Sequence, residues 1–110
     1  MRFLYYCNKE NENLYGKTNI DIEDVLKIAL SGNVKRVGEK IGICINSLLR
    51  ENAENDNEIT VWIDPERKTV TVKRFGYSTF QNKWITEDVE NLEMSRTEIE
   101  TLLILCEVIQ

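Results

Sequence analysis

The sequence predicts an α+β fold: a small antiparallel sheet built around a hairpin at residues 58–75, with helices packed on one of its faces. Two observations carry that prediction. Apolar residues alternate on either side of a turn, at Ile59, Val61 and Ile63 and again at Val70 and Val72, as half-buried strands require. Helical spacing with start signals occurs elsewhere, after Asp21 and after Ser95.

Taken in order, Arg2 to Cys7 reads as an aromatic-rich first strand, followed by a polar surface loop made of Asn8 to Asn13 together with Gly16. Asp21 is placed to cap a first helix, with Glu23 and Asp24 in the turn where the helix dipole favours acids. Ile22, Val25, Leu26, Ala29 and Leu30 form its apolar stripe, and Gly32 and Asn33 stop it. A second helical pattern follows: Val34, Val37, Ile41, Cys44 and Leu48 recur at steps of three and four, with Ile45 and Leu49 widening the face. Gly38 and Gly42 lie beside that face and mark a place where another element packs closely. A strand over 41–45 is the competing reading.

The hairpin comes next. Asp64-Pro65-Glu66-Arg67-Lys68 has turn chemistry, with Pro65 at the first corner, and the second strand runs past Gly76 towards Phe80. Residues 86–93 read equally well as a short acidic helix or a strand. Ser95-Arg96-Thr97-Glu98 is a capping box for the last helix, which sets Ile99, Leu102, Leu103, Cys106 and Ile109 on one face. Leu105 and Val108 make this helix apolar nearly all round, so it belongs at the centre of the core.

The 110 residues, with 42% hydrophobic and 30% charged, are the size and balance of a single domain spanning 1–110, and a single proline leaves nothing that reads as a linker. Neither a secretory signal nor a membrane-spanning run is expected, since the longest apolar stretch, 99–109, is broken by Glu100, Thr101 and Glu107. Cys7, Cys44 and Cys106 are odd in number and far apart, which suits reduced, buried thiols. The expectation is a cytoplasmic protein with no membrane contact.

The chain has no histidine. That removes Ser-His and Cys-His nucleophile pairs, imidazole acid–base catalysis and nearly every common zinc site. The carboxylates cluster at helix starts and in loops, where solvation and dipole complementarity account for them. Gly32 to Lys40 (GNVKRVGEK) lacks the spacing and the Lys-Ser/Thr pair of a phosphate loop, although Lys35, Arg36 and Lys40 near a helix start could hold an anion. The reading is therefore not an enzyme, with no cofactor and no metal.

Charge gives the functional expectation. The net charge is −5, but residues 51–66 hold six acids and no base, whereas 67–74 hold four bases and no acid. If the acids before the hairpin turn converge with those of 87–100, Glu54, Asp56, Glu58, Glu87, Asp88 and Glu90 form an acidic face for a basic protein partner. Small acidic domains of this kind include inhibitors and immunity proteins of bacteria and phages.

A second reading starts from Lys73-Arg74-Phe75-Gly76-Tyr77-Ser78-Thr79-Phe80, which resembles the octapeptide of the RNA-recognition motif, as Leu4-Tyr5-Tyr6-Cys7-Asn8 resembles that family's shorter first-strand motif. The resemblance implies bases stacked on Tyr5, Phe75 and Tyr77 beside Lys73 and Arg74. It departs from the family where Arg74 replaces a glycine and Ser78 an aliphatic residue, and where two helical patterns separate the motifs. The alternative function is thus single-stranded nucleic-acid binding through Lys73, Arg74, Phe75, Tyr77, Phe80 and Trp84.

Overall fold

Ile41, Ile43 and Ile45 alternate as regularly as the hairpin residues do, and that two-residue period sets the architecture. The computed structural model describes residues 1–9, 12–49, 57–78 and 80–109, with side chains described outside 6–9, 12–17 and 57. The fold is α+β, with two antiparallel sheets and two helices.

Strands β1 (Arg2–Lys9) and β2 (Glu12–Asn19) pair along their whole length, so the polar segment expected as a surface loop is largely strand. Helix α1 (Ile22–Leu30) follows, with Asp21 as its cap: Asp21 Oδ1 accepts from the Glu23 N–H at 3.1 Å. Val25 and Ala29 are buried, and Gly32 at φ +92° closes the helix end as its sequence position suggested.

The second helix does not form. Its residues make β3 (Lys35–Val37), β4 (Lys40–Cys44) and a short 3-10 turn (Asn46–Leu48). Gly38 at φ +59° opens the two-residue turn between the strands, the position where a primed hairpin turn needs glycine. Ile41, Ile43 and Ile45 are all buried, and three β-branched residues at strand spacing favour a sheet over the helical pattern that overlaps them. Lys35, Arg36 and Lys40 accordingly sit on a hairpin and not at a helix start, so the helix N-terminus that could have held an anion there is absent.

The predicted hairpin forms from β5 (Asn57–Asp64) and β6 (Thr69–Ser78). Asp64 Oδ1 accepts from the Glu66 and Arg67 N–H groups at 3.1 and 3.2 Å, and Lys68 completes the turn at φ 56°. The ambiguous acidic segment is strand: β7 (Lys83–Asp88) joins β6, and β8 (Glu90–Glu93) crosses to pair with β1. The sheet orders are β3-β4-β5-β6-β7 and β2-β1-β8.

Helix α2 (Arg96–Ile109) touches β5, β6 and α1, and α1 touches β4, so both helices cover one face of the five-stranded sheet. Ile41, Ile43, Ile59, Val61, Ile63 and Val72 meet Val25, Leu102, Leu105 and Cys106 in one buried cluster that also takes in Phe3 and Tyr5 of the smaller sheet. Ile104 and Val108 of α2 remain exposed, so the helix is central on one side only.

The capping box is present as read. Ser95 Oγ accepts from the Glu98 N–H at 3.1 Å, and Glu98 Oε1 accepts from the Ser95 N–H at 3.0 Å. The other Glu98 oxygen receives the Met1 ammonium at 2.6 Å, which ties β1 to the start of α2. Burial pushes the Glu98 carboxyl up, but the Met1 ammonium and the Ser95 hydrogen bonds outweigh it and hold the pKa below the ordinary glutamate value. A depressed carboxylate stabilises the fold fully above its unfolded-state pKa and ceases to as the pH falls through the folded one. Urea midpoints measured down an acid series should therefore drop, and Glu98→Gln should flatten that acid limb while lowering stability near neutral pH.

Candidate functional site

Strand alternation sends every second side chain of the five-stranded sheet away from the helices. Cross-strand pairing arranges these outward residues in rows: Lys35, Gly42, Trp62 and Thr71; then Cys44, Thr60, Lys73 and Asp88; then Glu58, Phe75 and Thr86; and last Tyr77 and Trp84. Among the described residues no helix covers this face. Two adjoining grooves run across it, of about 530 and 300 Å³, and both are lined by Trp62, Lys73 and Thr86.

The rings are the distinctive feature. Phe75 and Trp84 stack at 5.5 Å, and Tyr77 meets Trp84 edge-on at 5.8 Å. Phe75, Trp84 and Tyr77 are 45%, 51% and 37% exposed, and Phe80, in the turn beyond, is 92% exposed. So many large rings in contact with solvent and with one another form a patch of the kind that marks a binding surface. Trp62 is half-buried in the middle of the face. Its ring lies flat on β4: a Cβ at Gly42 would stand 2.7 Å from Trp62 Cζ3. Gly42 thus marks the close approach its sequence context suggested, on a strand and not a helix. Gly42→Ala should tilt the indole off the sheet, at a cost of about 1 kcal/mol, and a red shift of the tryptophan emission would register it.

No protein-family model, curated protein or solved structure matches this chain. The face must be read from its own side chains. Among the described residues, no group of three or more His, Cys, Asp and Glu could hold a metal ion, and no helix is long and apolar enough to cross a membrane.

Of the residues singled out for an acidic face, Glu54 and Asp56 lie outside the described residues. Glu58 is ion-paired with Lys35, and Asp88 with Lys73 at 3.1 Å, both on the open face. Glu87 points to the helix side of the sheet, where it meets Arg74 at 2.8 Å. Glu90 lies on β8, in the other sheet. The acids are therefore distributed over two faces and two sheets, and three of them carry a cationic neighbour.

Of the nucleic-acid set, Lys73, Phe75, Tyr77 and Trp84 come together on the open face, but Arg74 points the other way and is 2% exposed. Tyr5 is buried in the smaller sheet, so it does not join the rings. Cys44 is half-buried on the open face and Cys106 is buried; neither forms a disulfide, and the Cys7 side chain lies outside the described residues. The grooves and the Gly42–Trp62 contact escape sequence reading because a helical period claims Gly42. The alternation through Ile41, Ile43 and Ile45 was the signal that could have found them.

Proposed function

We propose that this chain is a non-catalytic interaction module of the inhibitor or immunity-protein kind, acting in the cytoplasm, which engages a basic protein partner through the ring cluster of its open sheet face. The observation that supports it is the position of the Phe75–Trp84–Tyr77 cluster, solvent-exposed and sharing the open face with Asp88 of β7. A guanidinium laid over Trp84 would gain the attraction of the ring face, and Asp88, on the same face beside Lys73 with its side chain 73% exposed, offers a carboxylate to a second cationic group of the partner. The net charge of −5 steers a cationic partner towards the molecule.

Single-stranded nucleic acid is the second reading, favoured by the same rings beside Lys73 and by Lys35, Lys40 and Arg67 around the grooves. One experiment separates the two. Tryptophan fluorescence is followed while the protein is titrated, at low salt, with an arginine-rich peptide and separately with a single-stranded oligonucleotide. The expected result is salt-sensitive peptide binding, weakened about tenfold by Trp84→Ala and by Asp88→Lys, with no response to the oligonucleotide. Oligonucleotide binding alone would transfer the function to the second reading. Peptide binding indifferent to both substitutions would remove the first.

A further inference from the structure

The five-stranded sheet has two edges of different kinds. β3 is three residues long, and its Arg36 is tied to the end of α2, Nη2 donating to the Ile109 carbonyl at 2.6 Å. β7 is six residues long, and among the described residues no strand pairs with its outer side. An open edge of that length is a template for a further strand unless its side chains forbid pairing.

The side chains of β7 fit a second copy of β7. A two-fold axis perpendicular to the sheet leaves each residue on its own face, so only residues of like parity can stand opposite each other. Lys83, Ile85 and Glu87 belong to the helix side, and Trp84, Thr86 and Asp88 to the open side. Centring the axis on Ile85 sets Ile85 against its own copy, Lys83 against Glu87 on both sides of the axis, and Trp84 against Thr86. Two opposite-charge pairs then flank an apolar contact, the arrangement that cross-strand pairing favours. Centring the axis on Thr86 would place Glu87 against Ile85 and leave neither acid facing a cation. One register is self-complementary, and its neighbour is not.

The local geometry prepares that register. Arg74 holds one carboxylate oxygen of Glu87 at 2.8 Å, and the Glu87 side chain remains 44% exposed at the edge. Lys83 is exposed and Ile85 half-buried, so both are within reach of a neighbouring strand.

We infer that β7 pairs antiparallel with β7 of a second copy, centred on Ile85, to form a homodimer with a continuous ten-stranded sheet. The pairing sets the two ring clusters side by side on one face, which doubles the surface assigned above. It rests on the edge and its charges and not on what that surface binds, so either can fail without the other.

Sedimentation equilibrium tests it. The wild-type protein should approach twice 12.9 kDa as concentration rises. Lys83→Glu, which sets like charges opposite one another twice, should raise the dimer Kd by about tenfold or more without changing the circular dichroism. Ile85→Cys should form a covalent dimer on mild oxidation, and Thr86→Cys, displaced from the axis and on the other face, should not. A wild-type protein that stays monomeric throughout overturns the inference. So does a dimer insensitive to Lys83→Glu, or one that Ile85→Cys fails to cross-link.

Discussion

Leu102→Ala is expected to lower the unfolding free energy by about 3 kcal/mol. Leu102 is fully buried where α2 meets β5 and β6, and it belongs to the same cluster as Val25 of α1. Truncation there loses the transfer energy of the side chain and leaves a void that three elements would have to shift to close. For a chain of this size, such a loss is a large fraction of the total stability and lowers Tm by about 10–20 °C. Val108→Ala on the same helix is the control: Val108 is 68% exposed, so its loss should stay within about 0.5 kcal/mol. Urea unfolding of both variants gives the comparison. Equal midpoints would mean that α2 does not pack against the sheet as described.

The elements legible in the sequence were those in which one physical signal acts alone. Ile59, Val61 and Ile63 alternate without a helical competitor, Asp64 and Pro65 supply the turn, and the hairpin follows. Ser95 and Glu98 satisfy each other's backbone donors, so the start of α2 is written in four consecutive residues. Between Val34 and Leu49 two periods overlap. Val37, Ile41, Cys44 and Leu48 fit a helix, Ile41, Ile43 and Ile45 fit a strand, and the neighbouring edge of β5 decided between them. The same holds for the site. Phe75, Tyr77 and Trp84 could be named as an aromatic group, but whether Arg74 joins them depends on strand parity and on a carboxylate thirteen residues away.

That carboxylate leads to the second large effect. Glu87→Gln is expected to cost about 2 kcal/mol, whereas Arg74→Met should cost less than about 1 kcal/mol. Arg74 lies on the helix side of the sheet, where its neighbours across β5 and β6 are Ile59 and Val72, and Nη1 donates to Glu87 Oε1 at 2.8 Å. Removing the carboxylate charge takes from a buried guanidinium the anion it is paired with. The full penalty for breaking a buried pair is reduced because the Glu87 side chain is 44% exposed and water supplies part of the field. Methionine in place of Arg74 removes the cation together with the need for the Glu87 anion and fills similar space with apolar atoms, as the neighbouring Ile59 and Val72 side chains favour. Chemical denaturation of the two single variants and the double variant measures the coupling directly. In the Arg74→Met background Glu87→Gln should become nearly neutral. A cost that persisted there would place the role of Glu87 outside the pair, at the open edge of the sheet.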